Sequence, residues 1–273
     1  MGMALGSGMF INGCEAPQVA TPGRICNSKG NITEANAALA KHRENIKGVR
    51  AGGNILLQYY DDEDKLHKEN LGLTLRYYPP DLLYFRGDVL AQEVLRLGTN
   101  ADEFWILFKP KEISSYHWGG VSEAKNCPSY YWINPQNLLD ALGVVREYPG
   151  GTLSSQAGFD VVTKTLPGRA QKKLYIDRCD YLVRKIEYLD PYGQIKAVTE
   201  LDKYVQNSDE SFIPSRIRML DHDSETTVEI RLQNVRRFEP TARQLDGKLF
   251  RRPEPKGFEH VYRLNNQCRF ERQ

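Results

Sequence analysis

No run of about 18 apolar residues occurs in the 273-residue chain, so the sequence offers no helix long enough to cross a bilayer. Neither sign of charge prevails: 37 Lys and Arg stand against 35 Asp and Glu, which excludes the basic field that a protein needs to track nucleic acid. The common catalytic signatures are absent too, with no GxSxG, no P-loop, no HExxH and no GxGxxG after a first strand. The five histidines, at 42, 67, 117, 222 and 260, stand singly. His42, on a charged helix, and His222, between Asp221 and Asp223, read as solvated side chains. Asp61, Asp62, Glu63 and Asp64 form an acidic run without the Gly and distal Glu of an EF-hand loop, which makes it a hydrated hairpin tip. Cysteines at 14, 26, 127, 179 and 268 include no CxxC pair and no metal-ligand spacing. These gaps point away from an enzyme and from a metal or other cofactor.

Tyrosine is plentiful instead, at 15 residues, and Ala-rich amphipathic stretches are few, so the chain favours strands over helices. Its first fourteen residues are small and apolar, carry no charge and end in Ile11, Asn12, Gly13 and Cys14. That order matches the end of a bacterial lipoprotein signal, although the basic start is missing and the apolar stretch is diluted by Gly. Two readings stand: Cys14 is the lipid attachment site of a membrane-tethered protein facing the periplasm, or it is an incidental cysteine in an unstructured N-terminus. The other four cysteines fit either two disulfides in an oxidising compartment or free thiols.

Residues 15–30 are rich in Pro, Gly, Ser and Asn and read as a flexible leader. A helix follows. Asn31 with Glu34 makes a capping-box arrangement, Ile32, Ala35, Leu39 and Ile46 share a face, and Gly48 supplies the stop. From Val49 the apolar period becomes two, giving strands over 49–60, 69–78, 82–87, 91–98 and 102–108. Leu71, Leu73, Leu75 and Tyr77 face one side of the second strand, with Gly72, Thr74 and Arg76 on the other. Phe104 to Phe108 is apolar on both sides, which predicts a central strand with something packed on its outer face. Residues 119–150 break the pattern and contain a short helix opening at Asn134 and Pro135, with Leu138, Leu139 and Leu142 as its apolar stripe. A second meander is expected at about 153–165, 171–178, 181–189, 194–205, 212–220 and 226–237, and a basic, Pro-containing tail after Pro240.

The order of these pieces resembles the periplasmic lipoprotein-sorting proteins LolA and LolB. The resemblance is carried by Leu71 to Tyr77, then Pro79-Pro80-Asp81-Leu82-Leu83-Tyr84-Phe85, Val94 to Asn100, and Phe104-Trp105-Ile106-Leu107-Phe108-Lys109-Pro110. Tyr181 to Ile186 and Phe212 to Ile217 resemble the second half of that superfamily. Thr99-Asn100 stands where Asp-Gly is usual, and the chain is longer than a soluble carrier of this kind. What the resemblance implies is a mainly β (α+β) fold, a curved antiparallel sheet forming an unclosed barrel with helices as a lid, around an apolar interior for acyl chains.

The expected organisation is therefore a signal-like segment and leader over 1–30, a lipid-binding domain over 31–240 and a basic extension over 241–273. Leu73, Leu75, Phe85, Leu95, Trp105, Leu107, Ile186, Ile230 and Leu232 are the expected cavity wall, with Leu138, Leu139 and Leu142 on the lid. The partner is a lipid or the acyl chain of a lipoprotein, bound without chemistry by a carrier or tethered receptor. A structural or envelope-assembly protein that holds a protein partner with a filled core is the alternative.

Overall fold

A computed structural model describes residues 26–61, 63–109, 114–127, 134–207 and 211–273. Cys14 and the signal-like segment around it lie outside the described residues, as does Asp62 of the acidic run. The first element is α1 (Ile32–Asn45), started by Asn31, whose side-chain oxygen accepts from the Glu34 amide (3.0 Å) and whose side-chain NH2 donates to the Glu34 carboxylate (2.9 Å), while the backbone donor to that carboxylate is Gly30 rather than Asn31, so the expected capping box is not closed. It ends at Asn45, three residues before Gly48. Gly48 serves the sheet instead of the helix, because a Cβ there would come 2.1 Å from the carbonyl oxygen of Phe238, and only glycine lets the two backbones meet.

Everything after α1 is organised by one sheet. In chain order its strands are β1 (Val49–Tyr60), β2 (Leu66–Tyr78), β3 (Leu82–Val89), β4 (Gln92–Thr99), β5 (Glu103–Phe108), β6 (Ser115–Gly120), β7 (Thr152–Gln156), β8 (Phe159–Thr165), β9 (Gln171–Asp177), β10 (Val183–Leu189), β11 (Ile195–Gln206), β12 (Phe212–Asp221), β13 (Thr227–Arg237), β14 (His260–Leu264) and β15 (Phe270–Arg272). Two short helices, α2 (Val121–Lys125) and α3 (Pro135–Ala141), separate the halves, and α4 (Ala242–Asp246) opens the C-terminal segment. The spatial order is β15-β14-β6-β5-β4-β3-β2-β1-β13-β12-β11-β10-β9-β8-β7. β1 and β13 pair across the middle, so two meanders fuse into a single curved, unclosed antiparallel sheet. β14 alone runs parallel to its neighbour, β6.

Alternation built this sheet where one face is wet. In β2, Leu71, Leu73, Leu75 and Tyr77 are buried, and in β13 Ile230 and Leu232 are buried between exposed Arg231 and Gln233. The concave face carries two apolar floors. One gathers β1 to β3, β12 and β13 beneath α3 and its continuation; the other packs Ala35 and Leu39 of α1 with Val145 and Tyr148 on β8 to β11.

Three local features differ from the sequence expectation. The run 153–165 is a hairpin, turned at Ala157 and Gly158, both at positive φ (44° and 86°); a two-residue turn of this kind usually announces itself with Asn-Gly. Ser115–Gly120 is a strand that ends the first meander, hidden in the sequence by its two terminal glycines. Residues 241–273 first cover the convex face, where Tyr116 donates to the Pro253 carbonyl (2.6 Å), and then add β14 and β15 to the sheet.

The cysteines pair as Cys26–Cys179 and Cys127–Cys268, across 153 and 141 residues. Loops of that length correspond to about 5 kcal/mol each in the chain-entropy picture. The first bridge, with a hydrogen bond from the Lys29 amide to buried Asp160 (2.9 Å), fastens the segment before α1 to the sheet.

β1 carries an irregularity between Arg50 and Gly52, and Gly53 beside it has φ 144°, with the Arg231 carbonyl oxygen 1.9 Å from where a Cβ would stand. Gly53→Ala is expected to lower stability by about 2 kcal/mol or more, read by urea unfolding. A change below about 0.5 kcal/mol would show that the central seam is not held by that close approach.

Candidate functional site

The larger concavity is not the apolar one. An open cleft of about 1150 Å³ lies between the end of α1 and the β2–β3 turn, lined by Arg43, Lys47, Arg146 and Arg237 with Glu44, Asp81, Glu147 and Glu239. Its charges are largely spent on each other. Arg43 holds Glu147 with two bonds (2.7 and 2.8 Å), Arg146 bonds Asp81, and Arg237 bonds Glu239. Such a surface is a salt-bridged end of the fold.

The second concavity has the opposite character. It is about 310 Å³, at the lower end of the range for small-molecule sites, and no Asp, Glu, Lys or Arg lines it. Its wall is assembled strand by strand: Ile55 and Leu57 from β1, Leu83 and Phe85 from β3, Leu95 and Leu97 from β4, Ile106 and Phe108 from β5, then Ser115 and His117 from β6. Ile217 and Met219 of β12 and Val228 and Ile230 of β13 close the other side. Glycine shapes the floor: a Cβ on Gly87 would come within 3.0 Å of Leu71 and 3.2 Å of Leu95.

The roof is α3 with Leu142 just beyond it. Asn134 caps the helix by accepting from the Gln136 amide (2.9 Å), and Pro135 takes the first helical position, where its missing N–H costs nothing. Leu138, Ala141 and Leu142 face down into the hollow. On its other side α3 carries Asp140, completely buried, which receives bonds from Gln136 (2.7 Å) and from Lys172 of β9. Lys172 is 3% exposed, also donates to Asn137 (2.8 Å), and lies over the Tyr188 ring. Burial pulls the Lys172 pKa down against the pull of Asp140. The lid is thus pinned to the second half of the sheet by a charge pair, while its apolar stripe spans the first.

No family model matches this sequence, and no curated protein does. Solved structures share its geometry: a LolA superfamily protein from Nitrosomonas europaea (9% identity, TM-score 0.53, covering 80% of this chain and 99% of that one) and a DUF1329 family protein from Desulfovibrio piger (9%, 0.52, 80% and 97%). A putative outer membrane lipoprotein-sorting protein domain from Vibrio parahaemolyticus matches at 11% identity and TM-score 0.50, over 78% of this chain and 97% of that domain. The fold is LolA-like.

Within this LolA-like fold the twelve expected wall and lid residues separate into three groups. Phe85, Leu95, Leu138, Leu142 and Ile230 border the hollow. Leu73, Leu75, Leu139 and Leu232 belong to the same apolar cluster but are covered by their neighbours. Trp105, Leu107 and Ile186 are elsewhere. Trp105 and Leu107 point to the convex face, with Tyr116, Trp118, Phe258 and Val261, so Ile106 and Phe108 take their places. A strand apolar on both sides gives no parity. What decides it is Gly98, directly opposite on β4: a Cβ there would lie 2.3 Å from the Trp105 ring, so the bare glycine is the seat of the indole. Ile186 lies in the second floor beneath α1, since β10 belongs to the other half of the sheet.

The histidines also sort themselves. His42, expected to be solvated, is half-buried and its pKa is pulled down by burial; its Nε2 has no hydrogen-bond partner among the described residues. Asp61 of the acidic run accepts from the Glu63 and Lys65 amides (2.9 and 3.0 Å) and lies 2.6 Å from His67 Nε2, which is turn chemistry. His117 is one of the cavity residues that sequence reasoning missed, along with Ile55, Leu57, Leu83, Leu97, Ile217 and Met219 among the apolar ones and Ser115 and Thr226 among the polar ones. The position of His117 at alternating spacing from Ser115 on a strand opposite Ile106 is the signal that finds it, once β6 is recognised as a strand.

Removing one partner of a buried charge pair strands the other, at about 3–5 kcal/mol. Lys172→Met is expected to destabilise the protein by that order in thermal or urea unfolding, and Lys172→Met with Asp140→Leu to regain most of it. A single variant within about 0.5 kcal/mol of the parent would mean that α3 is not held by this pair.

Proposed function

We propose that this protein binds the acyl chain of a lipid or lipoprotein in the α3-roofed hollow, as a non-enzymatic carrier or receptor of the cell envelope. The observation that carries the reading is the lining: a 310 Å³ cavity with no charged side chain, in a LolA-like fold. At about 30 Å³ per water-sized group, it takes roughly ten methylenes of one chain. Burying that many is worth about 8 kcal/mol at about 0.8 kcal/mol per CH₂. The same chain gains a similar amount in a bilayer, so it can pass between the two in either direction without covalent chemistry.

A second feature supports contact with a lipid surface. The strand register puts the turns after β1, β3, β10 and β12 at one end of the sheet, the end from which the cavity residues Leu57, Leu95, Phe108 and Val228 come. Large apolar side chains are exposed there: Tyr60 and Leu66, Leu90 at 95%, Tyr192 at 90%, and Ile195. Leu90 and Ala91 form a two-residue turn with both φ values positive (48° and 65°), a conformation that Asn-Gly adopts without strain. An exposed leucine held in an unfavourable turn is costly in water and useful against lipid. In this reading Cys14 is the lipid attachment that keeps the protein at the envelope.

Mass spectrometry of protein purified without detergent tests both parts at once. The expected result is an acyl lipid in the organic extract, at a substantial fraction of one per chain, and an N-terminal peptide in which Cys14 carries acyl mass. Lipid-free protein that also takes up no lipid from vesicles would remove the reading of the cavity, and an unmodified Cys14 the reading of the tether.

A further inference from the structure

Most of the polar lining of the hollow lies on β6. Ser115 and His117 stand two residues apart on the same side of that strand and both line the cavity; Thr226, the remaining polar lining residue, is engaged with Ser224 (2.9 Å). His117 is held as a fixed plate. Its ring stacks on Tyr262 of β14 (centroids 4.9 Å, planes 20° apart) and meets the edge of Phe270 of β15 (5.0 Å, 88°), while Ile106 of β5 flanks it on the other side. The histidine Nδ1 is sealed from water and from the hollow alike and meets no hydrogen-bond partner among the described residues, so Nε2 is the ring nitrogen left to meet a ligand. Burial also keeps the imidazole below the usual histidine range, so at neutral pH it is uncharged and has one N–H to donate and one nitrogen to accept.

From this edge, and resting on the acyl-binding reading above, we infer that His117, with Ser115 beside it, receives the carbonyl end of the bound chain. The chain then lies with its tail toward Phe85, Leu142 and Ile230 and its oxygen-bearing end at β6. Acyl chains with a carbonyl group are preferred over apolar molecules of equal size, and β14 and β15 serve the site by clamping the imidazole.

A displacement assay separates this inference from the reading it rests on. The uncharged fluorophore N-phenyl-1-naphthylamine, which has no carbonyl group, reports occupation of the hollow; decanoic acid and methyl decanoate are the competitors. In the parent protein all three bind. His117→Phe, which keeps a ring between Tyr262 and Phe270, is expected to weaken the acyl competitors about tenfold relative to its effect on the fluorophore, the worth of one hydrogen bond. Loss for both competitors identifies the acyl carbonyl as the group recognised, and loss for the acid alone identifies the free carboxyl. In the parent, the ring ¹⁵N resonances of His117 are expected to shift with decanoic acid and to stay in place with the fluorophore, a readout that needs no variant. Unchanged potency of both competitors in His117→Phe, with unmoved ¹⁵N resonances, would overturn the inference and leave the cavity reading intact. Failure of the fluorophore and both competitors to bind the parent would overturn both.

Discussion

Too little helix covers too much sheet, and the rest of the structure follows from that mismatch. Seven strands send apolar side chains into the first concave floor, yet the helix laid across it has seven residues. A helix of that length is about 10 Å long, at about 1.5 Å per residue, while strands rise about 3.3 Å per residue and stand about 4.8 Å apart. Curvature brings the walls together but cannot make the roof reach both sides. The remainder is a space walled by Leu, Ile, Phe and Met, which water has little reason to occupy and an alkyl chain has good reason to enter.

A roof so short needs holding, and its own apolar face cannot do all of it. The hold comes from the opposite side, where Asp140 meets Lys172 under the second floor, with Gln136 and Asn137 satisfying the remaining bonds. This explains why an acid and a lysine stay buried in an otherwise apolar region: in place of a pair of greasy residues that could slide, a directional pair sets where α3 lies. The disulfides act at a larger scale. Cys127–Cys268 ties the segment after α2 to the turn between β14 and β15, the same strands that brace His117, so the end of the sheet bearing His117 and Ser115 is covalently fixed.

How much of this could be read from residues alone depended on whether each strand had a wet face. β2 and β13 alternate cleanly, and their inward residues were legible. β5 was not legible in parity, because its outer face is dry beneath the C-terminal segment, and only Gly98 on the neighbouring strand reveals which side Trp105 takes. The hairpin within 153–165 escaped because Ala157 sits in a position where Asn or Gly is the usual sign. Ile186 was misplaced for a different reason: a sheet with two floors gives the same apolar pattern above each, and the pattern does not say which helix lies over it. Helix caps were the most direct to read, as Asn31 and Asn134 show, since a cap depends on two or three adjacent residues and on nothing distant.

The hollow lies over the first floor, and methyl-resolved NMR with decanoic acid bearing a nitroxide near its tail tests most directly whether the chain binds there. The expected result is selective broadening of the methyl signals of Leu95, Leu142 and Ile230 around the hollow, with those of Leu174, Ile186 and Leu201 in the second floor left sharp. Equal broadening of both sets, or broadening confined to exposed methyls such as those of Leu90, would contradict it.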